Sequence, residues 1–219
     1  MLVALSCLIG AGTAAAQGPE THPAAQRADF HAAIGWQNLR LDPADDTNRY
    51  DDNWVNSILF GGAGGGWYWT DHHKTQIDVG VGTPARHYRY QQRTLNGQIV
   101  NEISRVRVSR PSLAIAQQYQ FLRNQWFHPH LGIGLDIARE TRTEVYEPIF
   151  VFDNVGRLTR ELVPQRTEGP DHHVVVRPFA EGGFKAYMSR RAFFTADMRL
   201  MVHGGIDQAL FRLGFGVDF

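Results

Sequence analysis

The last stretch of the chain, residues 207–219, constrains the fold more than any other part of the sequence. Apolar side chains occupy every second position from Ala209 to Phe219, while Arg212, Gly214, Gly216 and Asp218 stand between them. A two-residue period is that of a β-strand with two different faces. One apolar face and one polar or small face suit the wall of a barrel that separates lipid from a polar lumen.

The same alternation recurs along the chain and predicts eight strands. They cover residues 30–39, 54–69, 76–82, 106–121, 127–137, 172–188, 194–203 and 209–219. Short turns near Thr70, Leu122 and Ser189 follow strands two, four and six, whereas longer loops at 40–53, 91–103 and 146–171 follow strands one, three and five. Short turns at one end and long loops at the other are typical of outer-membrane barrels.

Strand four shows an apparent change of face. Val106 and Val108 occupy even positions, but Leu113, Ile115 and Tyr119 occupy odd ones. We therefore predict a β-bulge at Arg110-Pro111, where a proline could be tolerated inside a sheet.

Composition agrees with an all-β, eight-stranded antiparallel transmembrane barrel with short periplasmic turns and longer extracellular loops. A mean hydropathy of -0.32 excludes a bundle of apolar spanning helices, but a barrel needs apolar residues only at alternate positions. The 22 basic and 22 acidic residues balance, so no net field favours nucleic acid. We expect a monomer.

The first residues predict export. Residues 1–16 are apolar and small, and Ala14-Ala15-Ala16 has the form of a signal-peptidase site, so the mature chain would begin near Gln17. Residues 17–29 then form a periplasmic lead, and 30–219 form the barrel domain. The single cysteine, Cys7, lies in the leader, which leaves the mature chain without a thiol for a disulfide or a metal.

The final octet resembles the carboxy-terminal signal of bacterial outer-membrane barrels. The residues that carry this resemblance are Arg212, Gly214, Val217 and Phe219. With the leader and the strand pattern, the chain is similar to the small eight-stranded barrels that include the OmpA-like, OmpX-like and OmpW-like domains. The resemblance implies residence in the outer membrane of a Gram-negative cell envelope and contact with the barrel-assembly machinery. It carries no specific activity, because members of this group differ in role.

The alternation sends charged side chains into the lumen. Because an eight-stranded barrel is just wide enough for side chains, we expect them to fill it as a salt-bridged network. The inward residues are Asp78, Arg105, Arg107, Asp136, Arg177, Glu181, Lys185, Asp197, Arg199 and Arg212.

Other motifs allow sharper hypotheses that we weigh against plain ones. The run at 61–66 resembles a phosphate loop, but no Lys-Ser/Thr or helix follows it, which favours glycines that let the wall pack closely. Five histidines fall near the periplasmic end and could bind zinc, although solvated rim histidines are the simpler interpretation. They are His31, His72, His73, His128 and His130. We therefore expect no metal and no cofactor.

Arginines near the outer rim suggest contact with outer-membrane lipids and with lipopolysaccharide, whose phosphates guanidinium groups bind in pairs of hydrogen bonds. These are Arg40, Arg49, Arg86, Arg89, Arg93, Arg139 and Arg142. A biased genome explains the abundance of arginine equally well.

The sequence favours a structural or surface-interaction role with a side-chain-filled interior. The first alternative is a narrow channel for small or hydrophobic solutes. The second is a lipid-modifying enzyme, although the sequence has no G-x-S-x-G and no catalytic residue can be named. A soluble lipocalin-type barrel, with the faces reversed, is a third.

Overall fold

The computed structural model describes residues 27–40, 54–95, 98–121, 126–152 and 158–219, all of them β-strands and connections. The strands are β1 (Ala28–Arg40), β2 (Trp54–Tyr68), β3 (His73–Gly82), β4 (Ala85–Leu95), β5 (Gln98–Ser109), β6 (Pro111–Gln120), β7 (Phe127–Tyr146), β8 (Ile149–Phe152), β9 (Leu158–Val163), β10 (Arg166–Tyr187), β11 (Ala192–Val202) and β12 (Ile206–Asp218). Within these segments, no helix has the length and apolar character needed to cross a bilayer.

Eight of the strands form a closed antiparallel barrel. The wall runs β10-β11-β12-β1-β2-β3-β6-β7, and β7 pairs with β10 to close it. The last strand also pairs with the first, since β12 pairs with β1 from Phe30↔Val217 to Leu39↔Gln208. Closure matters because lipid offers no partner to an exposed strand edge.

We call the end that holds Arg27 and Phe219 the terminal end, and the opposite end the far end. Connections at the terminal end are short: residues 69–72 link β2 to β3, and 188–191 link β10 to β11. Some wall strands extend well past the apolar belt of the outer face at the far end. β7 and β10 contain 20 and 22 residues, whereas about 9–11 suffice to cross a bilayer. Both strands therefore project beyond the membrane.

The two loops predicted at 91–103 and 146–171 are long far-end connections, as expected, but most of their described residues form β-strands. Residues 91–103 lie in β4 and β5, which pair as a hairpin from Ala85↔Val108 to Leu95↔Gln98. Residues 146–171 contain the hairpin of β8 and β9 and the first part of β10. Polar strands look like loops in the sequence, because only strands inside the bilayer need a continuous apolar face.

The bulge lies in the neighbouring strand rather than at Arg110-Pro111. Val81 pairs with Pro111 and Ala85 pairs with Val108, so four steps along β3–β4 oppose three steps along β6–β5. The extra residue falls at Thr83-Pro84. Strands β5 and β6 keep one register against β7, and even-numbered residues face inward on both sides of Arg110.

The outer face of the barrel carries an apolar belt. Its exposed side chains include Phe30, Ile34 and Trp36 on β1, Val79 and Val81 on β3, Leu131, Ile133 and Leu135 on β7, and Phe211 and Phe215 on β12. Trp67, Trp69 and Trp126 lie at the terminal end of the belt, where interfacial aromatics are expected. A lipocalin-type arrangement, with polar residues outside, is therefore contradicted.

The polarity of the faces reverses beyond the belt. On β5, Arg105 and Arg107 are exposed, while Val106 and Val108 are buried with Leu39, Ile58 and Ala85. At this height the outer face lies beyond the hydrocarbon, so the strand buries its apolar face as a soluble sheet does. This reversal explains the apparent change of face in the sequence.

Candidate functional site in the barrel interior

Two lysines share one aspartate at the terminal end of the lumen. Lys74 Nζ and Lys185 Nζ each lie 2.8 Å from Asp29 Oδ2, and Lys185 Nζ is also 2.9 Å from Asp218 Oδ1. Tyr68 donates its hydroxyl to Asp29 over 2.9 Å and accepts a hydrogen bond from Lys185. Two ammonium groups balance two carboxylates here, so the cluster is close to neutral.

A cavity of about 540 Å³ opens on this cluster from the terminal end. Its walls include Trp67, Trp69, His128, Tyr187 and Asp218. Tyr187 also donates its hydroxyl to Asp218, which closes the inner side of the cavity. The mouth is therefore open to solvent but ends at the lysine cluster.

A larger network fills the middle of the lumen. Arg199 donates from Nε to Glu181 over 2.6 Å and also pairs with Asp78. Arg212 donates to Asp197 over 2.7 Å and lies 3.0 Å from Asp78. All five side chains are at most 5% exposed. Two guanidinium groups thus face three carboxylates.

Polar neighbours complete the hydrogen bonding of these carboxylates. Gln118 donates to Glu181 over 2.7 Å, and Gln76 donates to Asp78. His31 Nε2 lies 3.1 Å from Asp78 Oδ1. Such bonds offset the cost of removing charges from water, which otherwise makes a buried ion pair unfavourable.

An apolar layer lies directly beyond this network. It consists of the buried side chains of Phe60, Ala114, Ala116, Phe179, Met201 and Leu210, which come from five different wall strands. The Phe179 ring also lies against the Arg199 guanidinium, 4.7 Å from its centroid. The layer therefore spans the lumen and separates the middle network from the far end.

A third charged cluster lies beyond the apolar layer. Arg110 is 2.6 Å from Asp136, and both Arg110 and Arg177 approach Glu140, at 3.3 and 2.9 Å. Arg177 also pairs with Asp207. The order is visible along β10, where Lys185, Glu181, Phe179 and Arg177 face inward in succession from the terminal end.

Glycines on β2 provide room for these large side chains. A Cβ on Gly64 would lie 1.8 Å from Asp78 Oδ1, and one on Gly66 would lie 2.5 Å from Lys74 Cε. Gly62 faces the Phe60 ring. The segment 61–66 is thus a strand whose inward glycines leave space in the lumen, and it precedes no described helix.

The structure places all eight side chains of the expected lumen network in the interior. They are Asp78, Asp136, Arg177, Glu181, Lys185, Asp197, Arg199 and Arg212, each at most 6% exposed. Arg105 and Arg107, also expected inside, point outward because β5 continues the odd-outward pattern of β6.

Several lumen residues are absent from the predicted network. Asp29 and Lys74 were assigned to the lead and to a turn, although both lie in strands at inward positions. Asp218 shares the inward parity of Arg212, so the alternation could have revealed it. Asp207 follows a register shift between Met201 and Val202, which no sequence pattern marks.

The five terminal-end histidines do not converge. His31 and His130 are buried inside the barrel, whereas His72 Nδ1 lies 2.8 Å from the Gln120 carbonyl oxygen. His73 packs against Tyr119, and His128 packs against Tyr187. Within the described segments, no three or more His, Cys, Asp or Glu residues are grouped to hold a metal ion.

The four residues of the assembly signal divide between the two faces of β12. Arg212 and Gly214 face the lumen, and Val217 and Phe219 are exposed on the outer face. The backbone of Phe219 exchanges hydrogen bonds of 2.9 and 3.1 Å with Ala28, so the last residue belongs to the closing seam.

At the far end, some rim arginines turn inward and others outward. Arg89 and Arg142 approach Glu144 at 3.8 and 3.6 Å, whereas Arg86 and Arg139 are exposed on the outer face. Above them, Arg166 lies 3.2 Å from Glu102 and 4.0 Å from the centroid of the Tyr146 ring. Desolvation raises the pKa of the Tyr146 hydroxyl, and Glu144 and Glu168 add to this effect.

Several other predictions lie outside the described residues. These are the signal peptide at 1–16, residues 17–26 of the lead, loop residues 41–53 with Arg49, residues 96–97 of the second loop and the turn at 122–125. The side chain of Arg93 is likewise not described.

Known structures share this architecture. No protein-family model and no curated protein matches the sequence. The chain is similar to the N-terminal β-barrel domain of OprF from Pseudomonas aeruginosa, with a TM-score of 0.50, 13% identity, and coverage of 89% of this chain and 98% of that chain. It is also similar to Neisserial surface protein A (NspA), with a TM-score of 0.52, 11% identity, and coverage of 88% and 97%. Together with the closed sheet and its apolar belt, this shows that the chain has the fold of the small eight-stranded barrels of bacterial outer membranes.

Proposed function

We propose that the protein resides in the bacterial outer membrane as a non-conducting barrel with a structural or surface-interaction role. The observation that supports this proposal most directly is the apolar layer of Phe60, Phe179, Met201 and Leu210, which lies across the lumen between two buried charged networks. An ion would have to leave its hydration shell to pass such a layer, at a cost of several kcal/mol. This argues against a narrow channel for ions and small polar solutes.

The far end supports the surface-interaction part of the proposal. The β4–β5 hairpin and the outer parts of β7 and β10 stand beyond the apolar belt, where they are held together by the pairing of β5 with β7. Exposed aromatic and aliphatic side chains on this extension include Tyr88, Tyr90 and Ile99. A rigid sheet that presents such side chains to solvent is a suitable platform for a partner.

Conductance across lipid bilayers tests the proposal. We expect the refolded full-length protein to give no steady current. The double variant Phe60→Ala/Phe179→Ala removes two rings from the apolar layer and should admit ions. The matched control, Phe211→Ala/Phe215→Ala, removes two rings from the outer face and should stay silent. A steady current through the unaltered protein would contradict the proposal.

A further inference from the structure

Three adjacent wall strands change from apolar to arginine at the far edge of the belt. On the outer face, the first charged side chain after Val81 of β3 is Arg86 of β4, and the first after Ile137 of β7 is Arg139. On β6 and β5 the first charged side chain after Leu113 is Arg107. We call Arg86, Arg107 and Arg139 the arginine patch. All three are exposed, and no acidic side chain faces outward before them on these strands.

Two members of the patch face each other directly. Arg86 pairs in register with Arg107 across β4 and β5, so both guanidinium groups project from the same small area. Like charges directly opposite each other in a sheet are unfavourable. Nearby Arg105 lies 3.6 Å from Glu147 and packs on the Tyr88 ring, but no described carboxylate forms a salt bridge with Arg86, Arg107 or Arg139. An anion bridging the pair would relieve the repulsion.

The position of the patch determines which anion can reach it. Ile137 and Arg139 are consecutive outward positions on β7. Arg139 therefore lies at the edge of the hydrocarbon. Arg86 and Arg107 lie a few residues farther out, at the height of lipid headgroups. Arginine presents a planar fork that binds two phosphate oxygens at once. Guanidinium groups above an apolar belt therefore match a phosphorylated lipid with its acyl chains along the barrel wall.

We infer that the arginine patch binds the phosphate groups of lipopolysaccharide in the leaflet around the far end, with Arg86 and Arg107 sharing one phosphate and Arg139 contacting the lipid nearer the hydrocarbon. This assignment rests on the proposed outer-membrane orientation, in which the terminal end faces the periplasm. It gives the exposed arginines a partner that the protein itself does not provide.

Native mass spectrometry of the full-length barrel in detergent, titrated with lipid A, tests the assignment. We expect Arg86→Gln/Arg107→Gln to weaken lipid A binding about a hundredfold, because each of the two lost charge-assisted contacts is equivalent to about one order of magnitude. Arg191→Gln, an exposed arginine at the terminal end, is the matched control and should bind as the unaltered protein does.

Further binding measurements distinguish the possible outcomes. Dephosphorylated lipid A should bind weakly to the unaltered protein and equally weakly to the double variant. Unchanged lipid A binding by the double variant, an equal loss in Arg191→Gln, or equally tight binding of phosphatidylglycerol would each overturn the assignment. Heat-modifiable migration of the same samples on gels reports barrel folding separately, so a failure of the fold is distinguishable from a failure of binding.

Discussion

At the scale of single residues, the choice between lysine and arginine carries information. The chain has 22 basic residues, and only Lys74 and Lys185 are lysines. Both end on the same oxygen of Asp29, each at a distance of 2.8 Å. An ammonium group is a compact point charge, whereas two planar guanidinium groups would need more room around one carboxylate. The close packing at the terminal end therefore favours lysine at both positions.

Lys185 should contribute more to stability than Lys74. We expect Lys185→Met to lower the free energy of unfolding by about 3–5 kcal/mol, because it leaves buried Asp218 and Asp29 with fewer cations. Lys74→Met should cost less, since Asp29 keeps its contacts with Lys185 and Tyr68. Denaturant unfolding in lipid vesicles measures both. A larger loss for Lys74→Met would show that the cluster is not organised around Lys185.

At the scale of elements, the β4–β5 hairpin follows the rules of a soluble sheet although it continues strands of a membrane barrel. Its buried face packs Val106 and Val108 against Leu39, Ile58 and Ala85. Backbone hydrogen bonds attach it to the wall through the pairing of 104–109 with 141–146 and through Glu147, whose N–H donates to the Ile103 carbonyl oxygen over 2.8 Å. The apolar contact therefore holds one side of the hairpin, and the β5–β7 ladder holds the other.

A charge placed in that apolar contact should release the hairpin. We expect Val106→Asp to expose the chain at Arg105 and Arg107 to trypsin, because a carboxylate would be buried without a partner. Ile99→Asp is the matched control on the same strand, since Ile99 is 72% exposed and its substitution should change nothing. Mass spectrometry of the fragments identifies the cleavage sites. Equal resistance of both variants would mean that the β5–β7 ladder alone holds the hairpin.

At the scale of the whole molecule, one seam joins the two ends of the described barrel. Phe219 pairs its backbone with Ala28, and its ring is 64% exposed on the outer face. The same residue ends the closing strand and belongs to the final octet, which is predicted to be recognised by the barrel-assembly machinery. These two roles predict different effects of substitution.

We expect Phe219→Lys to impair insertion into the outer membrane while export continues, so that unfolded protein accumulates in the periplasm. Phe121→Lys is the matched control, because Phe121 is also an exposed aromatic at the terminal end but lies outside the final octet. A lysine facing the interface costs about 0–1 kcal/mol in a barrel. Cell fractionation and heat-modifiable migration measure insertion. Equal defects in both variants would point to lipid contact, without a special role of the last residue.

The features that depend on alternation can be predicted from the sequence alone. Eight wall strands, the closing pair of β1 and β12 and the inward direction of Asp78, Glu181, Arg199 and Arg212 all follow from a two-residue period inside a bilayer. The reason is physical: lipid on one side and a polar lumen on the other require every membrane-spanning strand to repeat the same pattern.

The remaining features depend on contacts between strands, which the two-residue pattern does not specify. Beyond the belt neither face meets the hydrocarbon, so the polarity of β5 reverses and Arg105 and Arg107 turn outward. The bulge at Thr83-Pro84 depends on the register of two paired strands, which no single strand encodes. The apolar layer is likewise not predictable from the sequence, because Phe60, Phe179, Met201 and Leu210 lie on four different strands and meet only when the closed wall brings them to one height.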